Sequence, residues 1–195
     1  LGLVACAPVP AAAPSPSPFI VTLPPTVPTP SPFEEGLEGD HVIGPEDAYL
    51  TIMMYGDFQA SACADVAVTL AVLRARFAEE GGVRTVWRHY PQTQLNDKAA
   101  LALQAAEAAA AQGKFWPMHD LLLTRQGEWT AQTPQEFRST LSAYAEELGL
   151  DGSAFSTALD DGAYAPLVAR ARARAAAFEL SPGVPVLGFN GVRYN

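Results

Sequence analysis

The sequence predicts an α/β domain over residues 40–195, built around two buried parallel strands joined by a helix. Residues 49–55 form a short apolar run, which is typical of a buried strand. Apolar residues then recur at helical spacing from Cys63 onward. Residues 83–90 alternate and are rich in β-branched and aromatic side chains, which indicates a second strand. The connection through a helix predicts that the two strands pair in parallel.

The composition fits one globular domain and disfavours several classes of partner. The chain has 195 residues, of which 49% are hydrophobic, enough for a sizeable core. Its net charge of -9 leaves no basic surplus for nucleic-acid phosphates. The two cysteines, Cys6 and Cys63, lie in different contexts, so we predict no disulfide between them. The three histidines are scattered along the sequence, so we predict neither a metal site nor a cofactor.

The N-terminal region predicts an anchor followed by a spacer. Residues 1–6 end in Leu-Val-Ala-Cys, which resembles the end of a bacterial lipoprotein signal with Cys6 as the acylated residue. The alternatives are an ordinary signal peptide or a chance apolar string. Residues 7–39 are rich in proline and predict a disordered linker. We therefore expect a membrane-anchored lipoprotein on the bacterial extracytoplasmic face, in the periplasm or at the cell surface.

The remaining elements follow from local signals. Residues 41–47 are expected to form a turn before the first strand. Further helices are predicted over residues 97–112, 115–123, 134–148, 151–159 and 163–178. Thr133 and Glu136 form a capping-box pattern, and Asp151 is expected to cap the next helix. Residues 184–189 predict a final strand, and Asn190-Gly191 predicts a hairpin turn. The arginines of the last helix are expected to be solvated: Arg170, Arg172 and Arg174.

Several local phrases resemble one family when they are taken together. They are Gly-Asp-Phe-Gln at 56–59, Gly-Lys-Phe-Trp at 113–116, His-Asp-Leu-Leu at 119–122, Val-Pro at 184–185 and Phe-Asn-Gly at 189–191. This set resembles the DsbA-like branch of the thioredoxin superfamily. The resemblance implies a thioredoxin-like α/β fold, with a central mixed sheet flanked by helices and an inserted helical subdomain at about 94–160. It also implies that Pro185 is a cis-proline facing the active-site loop, and we expect the C-terminal part of the fold to lie beyond Asn195.

The resemblance also places a departure in the active-site loop. Enzymes of this branch carry Cys-Pro-x-Cys, whereas this chain has Ala60-Ser61-Ala62-Cys63. Ala60 then occupies the position of the attacking cysteine, and Cys63 the position of the buried resolving cysteine. Disulfide exchange needs an attacking thiolate and a second thiol, so a dithiol enzyme is not expected.

The resulting prediction is a redox-impaired, polypeptide-binding or accessory module. Val184 and Pro185, with Ser61 and Ala62 nearby, are the expected peptide-binding residues. The expected partners are other envelope proteins or extended polypeptide segments, together with the membrane through Cys6. Two alternatives stay open. One is an oxidoreductase that uses Cys63 alone, with glutathione or a partner protein supplying the other thiol, and the other is a holdase.

Overall fold

The computed structural model of the chain describes residues 32–180 and 183–194. The strands are β1 (Asp40–Ile43), β2 (Leu50–Gly56), β3 (Val83–His89), β4 (Val186–Phe189) and β5 (Val192–Arg193). The helices are α1 (Ser61–Arg76), α2 (Ala99–Ala110), α3 (Phe115–Thr124), α4 (Gln126–Trp129), α5 (Pro134–Glu147), α6 (Gly152–Asp160) and α7 (Ala165–Ala177). The strands form one mixed sheet in the order β1-β3-β2-β4-β5.

The predicted β-α-β unit is confirmed at the centre of this sheet. β2 and β3 are parallel, with Leu50 opposite Val83 and Gly56 opposite His89. All the other strand pairs of the sheet are antiparallel. In the β2–β4 pair Tyr55 lies opposite Val186. The segment before β4 therefore arrives beside the end of β2, where the chain turns toward α1.

Two apolar cores cover the two faces of the sheet, because successive strand residues point to opposite sides. Ile52 and Met54 point into the larger core, which α1 and helices α2, α3, α5 and α6 also build. Met53 and Tyr55 point into a smaller core beneath α7. The helices between β3 and β4 thus provide most of the packing for the face that carries α1.

The capping motifs in the sequence correctly predicted where helices α5 and α6 begin. The Thr133 hydroxyl accepts a hydrogen bond from the backbone N–H of Glu136, and the Glu136 carboxylate accepts one from the Thr133 N–H. Asp151 likewise accepts the N–H of Ala154 at 2.9 Å. The predicted hairpin turn is also confirmed: Asn190 and Gly191 have φ of 46° and 80°, as a two-residue turn between β4 and β5 requires.

The N-terminal boundary differs from the prediction in two ways. Residues 41–47 do not simply form a turn, because β1 pairs with β3 and sets His41 opposite Trp87. The end of the predicted linker is also part of the fold, because Phe33 is only 2% exposed in the smaller core. The ring of Phe33 lies over Gly188, where any Cβ atom would fall 2.2 Å from it.

One buried arginine ties residues 32–40 to the sheet. Arg88 is 1% exposed and holds both carboxylate oxygens of Asp40 at 2.6 Å. It also donates to the carbonyls of Pro32 and Glu34 and to the Tyr55 hydroxyl. A buried cation is tolerated only when it is fully paired, so these N-terminal residues complete the fold.

The expected lipidation at Cys6 and residues 7–31 of the expected linker lie outside the described residues. Across residues 32–180 and 183–194, none of the helices has both the length and the apolar content that a membrane span needs.

Candidate functional site

Residues 57–60, called here the 57–60 loop, connect β2 to α1. Asp57 is buried, and its carboxylate accepts the backbone N–H of Gln59 and of Gln92, each at 2.8 Å. The side chain of Asn96 adds a third bond at 2.9 Å. Asp57 is therefore a turn-forming residue, since its acceptor oxygens are committed to holding the loop.

Two glutamines tie the same loop to its neighbours, and the sequence analysis singled out only Gln59, within the phrase at 56–59. Gln126, from the inserted helices, donates to the carbonyls of Phe58 and Ala60 at 2.6 and 3.0 Å. Gln59 accepts the backbone N–H of Lys98 and donates to the Asp97 carboxylate. The loop is thus fixed from two sides before any ligand arrives.

Ala60 is the N-cap residue of α1, with extended backbone angles and no side-chain capping bond. Ser61 and Ala62 follow on the exposed first turn of the helix. No acidic residue lies in that turn. Ala60 has no atom that can attack a disulfide, so the exposed start of the helix offers backbone N–H groups and small side chains only.

Cys63 is the third residue of α1 and faces the larger core. It is 0% exposed, and its Sγ accepts the backbone N–H of Asp57 at 3.5 Å. Burial raises the pKa of the Cys63 thiol to about 12, although the Asp57 N–H acts in the opposite direction. At neutral pH the group is therefore a protonated, shielded thiol, as the sequence predicted for a core residue.

Val184 and Pro185 approach the 57–60 loop from β4. The peptide bond between them is cis, and Val184 is half-buried against the larger core, which also includes Ala60 and Cys63. Strand pairing of β4 with β2 begins only at Val186. Within the described residues, neither the N–H nor the carbonyl of Val184 has a hydrogen-bond partner. This unpaired backbone next to Pro185 is called here the Val184 edge.

A second polar cluster joins residues that are far apart in the sequence. His41 and His89 both place Nε2 against the same oxygen of Glu107, at 2.6 and 2.8 Å. The fold therefore brings together two histidines that are far apart along the sequence. Burial raises the pKa of Glu107, but the two imidazole donors more than offset it, and the pKa falls to about 2. Burial lowers the pKa of His89, which is neutral at pH 7.

The three side chains of this cluster have the residue types of a metal site, but the tautomer of His89 argues against that role. Trp87 donates its indole N–H to His89 Nδ1 at 3.0 Å. An indole nitrogen can only donate, so the single proton of neutral His89 lies on Nε2 and points at Glu107. That nitrogen then has no lone pair for a cation. The cluster is best described as a buried hydrogen-bond network.

Three further residues of α3 are buried and serve mainly in packing: Phe115, Met118 and His119. Phe115 and Met118 are buried in the larger core. His119 is also buried and bonds to Asp120 at 2.9 Å. Burial lowers the pKa of His119, as it does for His89.

Comparison with known proteins identifies the family. The sequence model of the family described as Thioredoxin (Thioredoxin_4) matches residues 37–195. The chain therefore belongs to this thioredoxin family.

Relatives of known sequence are much longer than this chain. It is 38% identical over 156 residues to the Na(+)/H(+) antiporter NhaA 1 of Salinispora arenicola, covering 80% of this chain and 22% of that protein. It is 41% identical over 140 residues to the Na(+)/H(+) antiporter NhaA of Herminiimonas arsenicoxydans, covering 72% and 21%. The chain thus spans about a fifth of the length of the curated relatives it matches.

Solved structures place the fold among DsbA-like proteins. Oxidised BdbD from Bacillus subtilis superposes with a TM-score of 0.70 at 18% identity, covering 82% of this chain and 86% of that one. Wolbachia pipientis alpha-DsbA1 gives 0.70 at 14%, covering 83% and 79%. MdbA from Actinomyces oris, a thiol-disulfide oxidoreductase, gives 0.66 at 16%, covering 80% and 77%. The expected fold class, a mixed sheet flanked by helices in the thioredoxin manner, is confirmed.

Proposed function

We propose that this chain is a redox-impaired, DsbA-like module that binds extended polypeptide outside the cytoplasmic membrane. The observation that carries the proposal is the Val184 edge, an unpaired stretch of backbone beside the start of α1. The residues that enzymes of this fold use for exchange are absent or shielded here, whereas the backbone surface for strand addition is present.

The start of α1 supports the loss of dithiol chemistry. The likeness to DsbA-like proteins assigns the attacking position to Ala60, which carries no sulfur. Ser61 does not replace it, because a hydroxyl cannot carry out thiol–disulfide exchange. The chain is therefore expected to show no dithiol turnover in an insulin-reduction assay, and measurable turnover would overturn this part of the proposal.

The burial of Cys63 weighs against the single-cysteine alternative. A monothiol mechanism requires the thiolate to reach a disulfide of the substrate. The Cys63 sulfur is fully buried, and its pKa of about 12 keeps it protonated at neutral pH. Both properties suit a small core residue better than a nucleophile.

The Val184 edge supports binding by strand addition. An extended peptide can pair with the free N–H and carbonyl of Val184, and its side chains then alternate toward and away from the domain. The adjacent 57–60 loop is held by Gln126 and Asp57. Its residues would therefore lose little conformational freedom when a peptide binds. A surface that is already fixed lowers the entropic cost of association.

The location is part of the same proposal. An acylated Cys6 and a proline-rich spacer would hold the domain near a membrane on its outer side. The relatives in Salinispora arenicola and Herminiimonas arsenicoxydans are named Na(+)/H(+) antiporters, which supports a partner that is itself a membrane protein. Fractionation of cells that express the full precursor, with labelled palmitate as the probe, tests the anchor. Labelling that persists in Cys6→Ser would refute it.

Photo-crosslinking tests polypeptide binding directly. Val184 is replaced by p-benzoylphenylalanine, and the protein is illuminated with reduced, alkylated α-lactalbumin as an unfolded probe. The same crosslinker at Ser142, an exposed position on α5, is the matched control. We expect adducts from position 184 and none above background from position 142. Equal yields from both positions, or no adduct at 184, would contradict the proposed binding site.

A further inference from the structure

A cavity of about 350 Å³ lies beside the β3–α2 connection, between that loop and α7. Its walls include Tyr90, Gln92, Leu95, Arg172, Ala176 and Leu180. This volume is at the small end of ligand clefts, which suits one or two side chains better than a whole cofactor. The lining combines apolar side chains with side-chain amides and the guanidinium of Arg172, and we call it the Arg172 cavity.

Arg172 differs from the two arginines on either side of it. Arg170 pairs with the Glu38 carboxylate at 3.1 Å, and Arg174 donates to the Glu38 carbonyl at 2.9 Å. Arg172 instead lines the cavity. Within residues 32–180 and 183–194 it has no hydrogen-bond or ion-pair partner. Arg172 is exposed, as predicted for solvated surface, whereas Arg170 and Arg174 contact Glu38. Arg172 is therefore an unpaired cation on a cavity wall.

Hydrogen bonds and a short chain segment connect the cavity to the surroundings of the Val184 edge. Tyr90 donates its N–H to the Gly56 carbonyl, and Gln92 donates to Asp57, so the cavity wall continues directly into the 57–60 loop. Leu180 precedes Val184 by four residues, and four residues span at most about 14 Å. A peptide on the Val184 edge can therefore reach the cavity within a few of its own residues.

We propose that the Arg172 cavity binds an acidic side chain of the polypeptide held at the Val184 edge, a refinement that rests on the proposed function. The guanidinium offers paired donors to a carboxylate. Leu95 and Leu180 provide apolar surface for the methylenes of a glutamate and for an apolar neighbour. The chain carries a net charge of -9, so its overall field repels acidic peptides. Arg172 thus gives a positional preference for one carboxylate and not a general attraction to acidic chains.

A peptide-display selection on the full chain tests this refinement. Random decapeptides are selected on the wild-type protein, on Arg172→Ala and on Arg172→Glu, with Lys114→Ala as the charge-matched control. Lys114 is an exposed cation at the start of α3. The best peptide is then compared with its Glu→Gln version by fluorescence anisotropy, at low and high salt.

The expected result is an acidic preference at one peptide position, worth about three- to tenfold in affinity and weaker at high salt. Arg172→Ala removes the preference, Arg172→Glu turns it toward lysine or arginine, and Lys114→Ala leaves it intact. Selected peptides that crosslink at position 184 but show no acidic preference, or keep it in Arg172→Ala, overturn the refinement and leave polypeptide binding standing. If no peptide is enriched or crosslinked at position 184, both proposals fail.

Discussion

The thiol of Cys63 gives the sharpest test of the site, because the structure fixes both its access and its protonation. The perturbation is exposure of the native protein to N-ethylmaleimide at pH 7, in a Cys6→Ala background so that Cys63 is the only thiol of the chain. A pKa of about 12, against an ordinary value of 9.0, lowers the thiolate fraction at pH 7 by about a thousandfold. The 0% exposure of the side chain slows the reaction further.

The assay follows adduct formation by mass spectrometry as a function of time and urea. An exposed thiol introduced by Ser142→Cys in the same background serves as the internal reference. We expect the Cys63 adduct to form at least about a thousandfold more slowly than the reference adduct in the folded protein. In urea both thiols should react at similar rates, and the Cys63 rate should follow the unfolding transition.

A Cys63 rate within tenfold of the reference in native protein would refute this reasoning. So would a rate that rises with an apparent pKa near 9 before the protein unfolds. Either result would mean that the sulfur reaches solvent in the folded state, and the single-cysteine oxidoreductase would then become the better hypothesis.

Three further predictions test other parts of the structure. Ala60→Cys, in the Cys6→Ala background, should create a dithiol at the start of α1 and give insulin-reducing turnover where the parent protein has none; no gain would mean that residues 60 and 63 are not in an exchange geometry. Glu107→Gln should destabilise the fold by about 3 kcal/mol at pH 7 and by about 1 kcal/mol at pH 3. The folded pKa of about 2 lies below the ordinary 4.5, so the stabilisation is complete above pH 4.5 and is lost as the pH falls through 2. Urea titrations at the two pH values measure it, and a penalty that does not change with pH would count against the network. Phe33→Ala should cost about 3–5 kcal/mol in the same titration, whereas a residue of a disordered linker would cost nothing.

Local signals were sufficient for most of the fold. The β2-α1-β3 unit follows from an apolar run, a helical repeat and an alternating strand, each within a short window of sequence. The caps at Thr133 and Asp151 are likewise interactions between residues three apart. The family resemblance then supplied the arrangement of these elements, which composition and periodicity alone do not contain.

The parts that the sequence did not reveal depend on contacts over long separations. β1 has only four residues and carries no strong apolar pattern, so its pairing with β3 depends on Asp40 meeting Arg88. Glu107 stands in an alanine-rich helix where it looks like a solvated residue. Its partners His41 and His89 are 66 and 18 residues away, and no local rule connects them.

The candidate site was predicted in part. The sequence placed Ala60 and Cys63 on the first turn of α1 and predicted the buried thiol. It did not predict Gln126, whose two bonds to the 57–60 loop come from a helix that begins 66 residues after Ala60. The different contacts of Arg170, Arg172 and Arg174 were equally hidden, because three arginines at alternate positions look equivalent until Glu38 pairs with two of them.

The hydrogen bonds of Arg88 would have a mechanical consequence if the domain is anchored through Cys6 as we propose. Tension along the chain enters the described fold at Pro32, and the first bonds to carry it are those from Arg88 to the carbonyls of Pro32 and Glu34. The paired bonds to Asp40 come next. β1 is an outer strand, separated from β2 by β3, so stretching would strip the edge of the sheet while the start of α1 keeps its shape.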